Sequence, residues 1–534
     1  MLALGNSTRG SGMKTLLKAA LAAAISLLSG VGVAMGQGER APARQNEVRY
    51  AINLHYEGAV LARLLGDIER KSGVEISAPT DLASDIVSRD ARANTWADAL
   101  RELLHGYNYA AIAGDDGRVK RVFVSGRNGN GSAARQHGYV SPNADQREDL
   151  LVYQPLASRS ALPEKYRGLK PGSVTPISIA ADRLARQQLG DRMTLRLPIG
   201  QYDVVHDNLF RHSNGDTSWV GYLDLEGKEF RVVVTRGAGG VIGQINTPDG
   251  LYRIEQAGGK TWLINLQASG MQSGALENDQ QSAPFSPEPG AALPSTAASP
   301  DHPATVDLMV LHTPALNDGD PVTRINHLLA LTQQSYVDSG IYVNLRLVHT
   351  EAVDYTGENL NSTALNDLTG NRLSPDIARL REAFGADLVA LVRPLHAAAQ
   401  GNNCGISWVG GSNNTPLTAE AGFAVVGDGY DGQYYCHDYT FAHELGHLFG
   451  STHDQGISDP GIFPFSYAWA VAGRFATVMS YLLDVAPLVG KFANPGMACT
   501  PAGDPCGDPD IADNARTTNL TAPAIAAYKP TMIE

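Results

Sequence analysis

The hydrophobic positions of this chain change their spacing along its length, and each change marks a predicted unit. Residues 48–54 alternate between apolar and polar side chains as a strand does, and helical spacing follows over residues 60–68. That helix should end at Gly73, and a second helical pattern covers residues 96–104, with strands on either side. The pattern therefore predicts a small α/β unit over residues 48–126.

A second unit, residues 149–267, is predicted to consist mostly of β-strands. Its apolar segments are rich in β-branched and aromatic residues, and Gly and Asp turns separate them, as in an antiparallel sheet. The clearest of these segments are 193–198, 219–224, 230–235 and 261–266. Residues 268–304 are rich in Pro, Ser, Ala and Gly with almost no large apolar side chain, which is typical of a flexible linker.

Strand and helix patterns alternate in the last unit, residues 305–534. A buried strand is predicted at 306–314, followed by helical spacing from Ile325 to Thr332 and a further strand at 342–348. Another helix and strand follow over residues 375–392, and the chain ends in a helix that runs through Tyr528. This alternation predicts an α/β domain.

Three histidines in this last unit are spaced to hold one metal ion. His443 and His447 stand four residues apart and share one face of a helix, with Glu444 beside them. His453 cannot lie on the same helix, because ten residues would carry it roughly 15 Å from His443. The helix must therefore break, and Gly450 is the residue that tolerates the positive φ of such a break. Three imidazoles leave a fourth zinc position open for water, which is the catalytic pattern.

The stretch from Thr440 to Asp454, with its H-E-x-x-H-x-x-G-x-x-H spacing, resembles the zinc site of the metzincin endopeptidases. The resemblance implies that Met479, in the later string 477–481, forms the floor beneath the zinc and that Glu444 is the catalytic base. The pair His453-Asp454 resembles the reprolysin and adamalysin branch, where the aspartate supports the active-site helix. The Met-Ser-Tyr string is closer to serralysins and astacins, so Tyr481 remains open between a role at the metal and a structural one.

Other resemblances concern the specificity and the preceding units. The combination of a bacterial-type signal, the pair His453-Asp454 and the stretch 513–516 resembles the bacterial peptidyl-Asp metalloendopeptidases most, which implies cleavage before acidic residues. Such cleavage needs a cationic pocket, for which Arg474 is a candidate, although solvation is the alternative role for a single arginine. The β-rich unit resembles the pro-domains of reprolysin-type enzymes, with a carbohydrate- or protein-binding module as the alternative. Residues 48–126 resemble the short N-terminal domain of secretins and TonB-dependent receptors, which implies a periplasmic module for docking at the cell envelope or a spacer.

Composition and charge limit where in the cell the protein is expected and which partners it is expected to bind. The net charge of −13 and the pI near 5.5 argue against nucleic-acid binding. Residues 1–36, with a basic flank and a short apolar core, are predicted to be a secretory signal peptide, and no other stretch could span a bilayer. An even number of cysteines in an exported protein indicates disulfides, and of the three pairings we favour Cys404–Cys436 and Cys499–Cys506.

The expected protein is a secreted or periplasmic zinc endopeptidase made as a precursor, with protein or peptide substrates. Its fold is multidomain, with an α/β metzincin catalytic domain behind a β-rich pro-domain and a small α/β module. Two alternatives are an envelope binding protein with a vestigial site and a zinc hydrolase of non-peptide substrates. The acidic loop 504–514 is compatible with calcium, although turn chemistry explains its Asp, Gly and Pro residues equally well.

The sequence also constrains how a precursor could be kept inactive and then cut. No cysteine precedes Cys404, so a thiolate cannot block the zinc, and we expect steric cover or an Asp, Glu or His of the unit 149–267. No basic residue lies between Lys260 and Arg324, so trypsin-like processing is excluded there. An enzyme that cuts before acidic residues could instead cleave its own linker. The candidate positions are Glu277, Asp279, Glu288 and Asp301, of which Asp301 is the most favourable.

Overall fold

The computed structural model describes residues 52–532 with gaps. The gaps are 79–81, 83–84, 106, 114–117, 128–148, 157, 199, 225–226, 249, 275–278, 283–295, 317–319, 357, 412–416, 482–485 and 502. Residues 51–534 cluster as one compact unit. The predicted signal peptide, residues 1–36, lies outside the described residues. Within the described residues, no helix combines the length and the apolar character that crossing a membrane requires.

The first unit is a small α/β fold. Its elements are β1 Ile52–Val60, α1 Leu61–Ser72, β2 Glu75–Ser77, β3 Ile86–Ala93, α2 Trp96–Leu103, β4 Tyr107–Ala113 and β5 Val119–Arg127. Strands β1 and β3 pair antiparallel, while β5 lies between β2 and β4. Both predicted helices are confirmed, and α1 ends where Gly73 adopts a φ of 71°. Leu64, Ile68 and Leu100 fill the core between helices and strands.

The second unit is a nine-stranded antiparallel sheet whose two ends meet. Its elements are β6 Leu151–Tyr153, β7 Val174–Ile179, α3 Ala181–Leu184, β8 Arg192–Leu197, β9 Gly200–Arg211, β10 Thr217–Leu223, β11 Gly227–Gly237, β12 Gly240–Thr247, β13 Gly250–Ala257 and β14 Lys260–Asn265. The order is β6-β7-β14-β13-β12-β11-β10-β9-β8, and the Leu150 amide donates to the Thr194 carbonyl to join the two edges. Side chains such as Leu195, Val204 and Trp219 fill the core of this barrel.

The remaining elements lie in the segment 268–304 and in the last unit. They are β15 Gln272–Ser273, β16 Gln280–Gln281, β17 Ala304–His312, α4 Pro321–Ser339, β18 Val343–Ala352, α5 Asn361–Thr369, α6 Ile377–Phe384, β19 Leu388–Pro394, α7 Ala397–Gln400, β20 Gly405–Trp408, β21 Phe423–Asp428, β22 Tyr434–Tyr435, α8 Thr440–Leu448, β23 Ala470–Val471, β24 Phe475–Ala476, β25 Asn494–Ala498, β26 Pro505–Cys506 and α9 Asn514–Ile525. A six-stranded sheet in the order β16-β20-β21-β19-β17-β18 forms the centre. Strand β20 runs antiparallel to β21, and both favoured disulfides are present.

The described parts of residues 268–304 differ from the expected flexible linker. Strand β15 pairs with β22, and β16 pairs with β20, so the segment adds backbone hydrogen bonds to the last unit at two places. Met271 and Ala298 are buried. Two-residue strands leave no hydrophobic periodicity in the sequence, so composition alone predicted an unstructured segment.

The barrel packs against α4 through buried charges. Arg253 on β13 and Arg324 on α4 both bind Asp438, and Arg324 also binds Asp428; these four residues are the interdomain charge cluster. All four are nearly inaccessible to solvent. Burial opposes ionisation of Asp438, but the two arginines hold its pKa well below the ordinary value. A second buried ion pair, Arg231 with Asp338, lies along the same helix.

Candidate metal centre

The active-site helix ends where the sequence requires it to. Helix α8 presents His443 and His447, both buried, and it ends at Leu448. Gly450 follows with a φ of 90°, and an added Cβ there would lie 2.5 Å from Ile462. Glycine therefore meets both a conformational and a steric requirement, and the chain turns back to bring His453 to the other two histidines.

The three imidazoles converge through their Nε2 atoms. The Nε2 atoms of His443, His447 and His453 lie 3.0–3.2 Å from one another. A tetrahedral zinc ion bonded to two histidine nitrogens would separate them by about 3.3 Å. The convergence therefore fits a zinc ion bound at the centre of the three rings.

Backbone carbonyls fix which nitrogen of two rings faces this centre. The Nδ1 of His443 lies 2.7 Å from the Val478 carbonyl, and that of His447 lies 3.0 Å from the Ser451 carbonyl. Since a carbonyl only accepts, each Nδ1 carries the proton and each Nε2 keeps a lone pair for a metal. Burial also lowers the pKa of His447, and lowers that of His453 to about 3, which favours neutral rings.

Asp279 is a fourth residue in the cluster, at a position that the sequence analysis did not connect with the metal. One carboxylate oxygen lies 3.1 Å from His443 Nε2, and the other lies 3.0 Å from His453 Nε2 and 3.6 Å from His447 Nε2. The side chain is fully buried. Potential ligand atoms of all four residues lie within 4.8 Å of one another, and the described residues contain no other such group. No local pattern around Asp279 marks it as a ligand, because its position depends on the path of the whole segment.

Glu444 lies beside the histidines and is held by Ser407 of the neighbouring strand β20. Its Oε2 accepts a hydrogen bond from the Ser407 hydroxyl at 2.7 Å, while Oε1 has no hydrogen-bond partner among the described residues. Burial raises the pKa of Glu444 well above its ordinary value, and the charge of Asp279 raises it further, whereas the Ser407 bond lowers it. A carboxyl group with a raised pKa is suited to accept a proton and then to give it up.

Gly405, also on β20, has no side chain, and the Glu444 carboxylate fills the space that a side chain would take. An added Cβ at Gly405 would lie 2.3 Å from Glu444 Oε1. We expect Gly405→Ala to displace the carboxylate and to lower kcat/KM roughly 100-fold, as misplacement of a reacting group by about 1 Å does. The zinc content of the purified variant should equal that of the parent. Gly168→Ala is the matched control, since an added Cβ there has no atom within 4 Å. Unchanged kcat/KM in Gly405→Ala would show that Glu444 tolerates the displacement.

The methionine turn supports the cluster from below. An added Cβ on Gly446 of α8 would lie 2.4 Å from the sulfur of Met479, so the helix and the methionine are in close contact. Asp454 accepts hydrogen bonds from the Ser480 hydroxyl and from the Tyr481 amide, both at 2.9 Å. Asp454 therefore connects the methionine turn to the segment that contains His453.

Tyr481 reaches the cluster through both its ring and its hydroxyl. The ring stacks on His453 with centroids 3.6 Å apart. The hydroxyl donates a hydrogen bond to Asp279. The sequence left the role of Tyr481 open, and the structure places its hydroxyl on the fourth residue of the cluster.

Other residues singled out in the sequence lie elsewhere. Arg474 forms an ion pair with Asp504, so its charge is already compensated. Asp504 also accepts from the Thr500 hydroxyl, and Asp508 accepts from backbone amides, which is turn chemistry and gives calcium no support. Five further histidines do not join the cluster; these are His312, His327, His349, His396 and His437.

Comparison with known proteins identifies two parts of the chain. Residues 313–512 match the family model described as metallo-peptidase family M12B, reprolysin-like. Residues 153–268 match the model of the BamI lipocalin-like domain, which agrees with the antiparallel barrel. The match to the first family includes all three histidines and Glu444.

Three curated relatives are peptidyl-Asp metalloendopeptidases. That of Pseudomonas aeruginosa is 33% identical over 267 residues, covering 45% of this chain and 43% of the relative. That of Stenotrophomonas maltophilia (strain R551-3) is 29% identical over 317 residues, covering 56% and 70%. That of Xanthomonas campestris pv. campestris is 25% identical over 394 residues, covering 70% and 88%. The chain thus spans less than half of the first relative and larger shares of the other two.

Proposed function

We propose that the protein is a zinc-dependent endopeptidase made as a precursor, starting from the match of residues 313–512 to the reprolysin-like metallopeptidase model. The observation that carries the proposal is the convergence of three Nε2 atoms beside a buried glutamate on the same helix. In this assignment His443, His447 and His453 hold the zinc, and Glu444 is the catalytic residue. When bound, zinc supplies a Lewis acid that acidifies water and polarises the scissile carbonyl.

The residues of the chain supply the remaining steps. Glu444 takes the proton of the attacking water at Oε1 and then delivers it to the leaving amine. Ser407 holds the other carboxylate oxygen and so orients Glu444. Strand β16 pairs with the outer edge of β20, and an extended substrate pairs with the same backbone groups of β20 once β16 has left them. Met479 packs against helix α8, and Asp454 binds the methionine turn; both contacts keep the histidines in position.

The finer assignments rest on the similarity to named relatives. We assign cleavage before acidic residues because the relatives are peptidyl-Asp enzymes. Arg474 is not assigned as the floor of the cationic pocket, since Asp504 compensates its charge. The barrel takes the role of a pro-domain, and export by a signal peptide with docking through residues 48–126 remains part of the proposal.

Metal removal provides the test of the proposed function. The purified protein, processed by self-cleavage, should contain about one zinc per chain, digest casein, and lose this activity when a chelator removes the metal. Restored activity on adding zinc back is the control for unfolding. Intact zinc without casein digestion would favour a hydrolase of non-peptide substrates, and absence of both would favour a vestigial site. A peptide library with apolar preference after the scissile bond would contradict the acidic specificity.

Self-cleavage of the precursor fits the exposure of the candidate bonds. Asp301 is exposed, whereas Asp279 is fully buried and is not accessible as a cleavage site in this arrangement. Glu277 and Glu288 lie outside the described residues. We therefore retain Asp301 as the preferred position, since a cut there preserves β17.

A further inference from the structure

We propose that Asp279 is the fourth zinc ligand of the uncut chain and that it keeps the enzyme inactive. This inference rests on the proposed function, because it requires zinc on the three histidines. It assigns the blocking group to a residue beyond the barrel, whereas the sequence led us to expect it within residues 149–267.

The spacing of atoms around the centre carries the first step. Two carboxylate oxygens of Asp279 lie 3.0 and 3.1 Å from histidine Nε2 atoms, close to the spacing among the Nε2 atoms themselves. The first of these oxygens lies 3.6 Å from His447 Nε2, so three nitrogens and one carboxylate surround a single point at separations of 3.0–3.6 Å. This is the four-coordinate arrangement that closes a zinc site.

Burial of the carboxylate carries the second step. Asp279 is fully buried, and its Oδ2 has no hydrogen-bond partner. Among the described residues, its ion-pair contacts are the three histidines, with no lysine or arginine beside it. A buried anion without a compensating cation is costly, and a zinc ion on the three histidines supplies that cation. Tyr481 satisfies the other oxygen by donating its hydroxyl hydrogen.

The backbone on both sides holds Asp279 in place. The Ser407 amide donates to the Asp279 carbonyl at 2.9 Å, and the following strand β16 pairs with β20 in parallel. Before Asp279, the Gly274 amide donates to the Tyr435 carbonyl at 2.7 Å. The segment therefore occupies the edge of β20 with which a substrate would pair. The Asp279 carboxylate takes the position that the attacking water needs.

The test uses the full chain with Glu444→Gln, which cannot cut itself. This protein is loaded with Co²⁺, and the binding of acetohydroxamate, a bidentate metal ligand, is measured by titration. If the Asp279 segment leaves the metal in at most about one tenth of the molecules, adding Asp279→Ala should tighten acetohydroxamate binding about tenfold or more. The visible absorption of Co²⁺ should also change, because one carboxylate ligand is replaced by solvent. Asp301→Ala, which removes an exposed acid from the same segment, is the matched control and should behave as the parent.

Two outcomes separate failure of this inference from failure of the proposed function. Stoichiometric Co²⁺ with unchanged hydroxamate affinity and unchanged absorption in Asp279→Ala would overturn the assignment of Asp279 alone. Failure of the parent protein to bind Co²⁺ would overturn the zinc site and this inference with it. If Asp279→Ala does not fold, Asp279→Asn replaces it, since a neutral amide of the same shape should still weaken the block and tighten hydroxamate binding.

Discussion

Replacing Glu444 by glutamine should leave the fold and the zinc in place and reduce peptide hydrolysis by at least about 100-fold, the lower range for loss of a general base. Glutamine has nearly the same shape and keeps a group at the position held by Ser407, but it cannot accept the proton of the attacking water. The measurement is kcat/KM on a peptide substrate, together with the zinc content of the purified variant. The same variant should also remain uncut in pure preparation.

Glu420→Gln is the matched control, because it makes the same chemical change on an exposed side chain. Amino-terminal sequencing then compares the secreted parent with the Glu444→Gln protein. Normal turnover by Glu444→Gln would remove Glu444 from its catalytic role. If the inactive variant is trimmed at the same bond in pure preparation, another protease performs the cut and self-cleavage is wrong.

The second large effect is expected from Asp438→Ala in the interdomain charge cluster. This change leaves Arg253 and Arg324 buried, with Asp428 between them and Glu255 beside Arg253 as the remaining acidic partners among the described residues. Breaking a buried ion network by removing one partner costs about 3–5 kcal/mol, mainly because the remaining charges stay desolvated. Denaturant unfolding of the Glu444→Gln precursor should therefore show a midpoint shifted strongly to lower denaturant concentration.

Asp182→Ala is the matched control for this measurement. It also removes an aspartate from an ion pair with an arginine, Arg236, but both side chains are largely exposed. Exposed pairs are screened by solvent, so the unfolding midpoint should hardly move. Equal shifts in the two variants would mean that the charge cluster adds nothing beyond an ordinary surface pair.

The local parts of the site could be predicted from the sequence because they depend on spacing within one short stretch. The separation of His443 and His447 and the positive φ at Gly450 follow from helix geometry. Asp454 and Met479 were placed by the family resemblance, and the structure shows both in contact with the site.

The long-range parts could not be predicted, for a physical reason. Asp279 meets the histidines through backbone pairing of a two-residue strand, and two residues cannot show a hydrophobic period. The backbone bond between Leu150 and Thr194 that helps to close the barrel likewise has no signature in the side-chain pattern. Composition predicted a flexible linker around Asp279, because composition carries no information on what a segment contacts.

The order of Asp279 and Asp301 along the chain separates two events that are easily taken for one. A cut before Asp301 divides the protein, yet Asp279 remains joined to the barrel, which still holds the catalytic unit through Arg253 and Arg231. Before the cut, the blocking carboxylate is part of the same molecule and its local concentration is fixed by the chain. After the cut it belongs to a separate partner, so the block becomes a bimolecular equilibrium. Dilution would then complete the activation that the cut only begins.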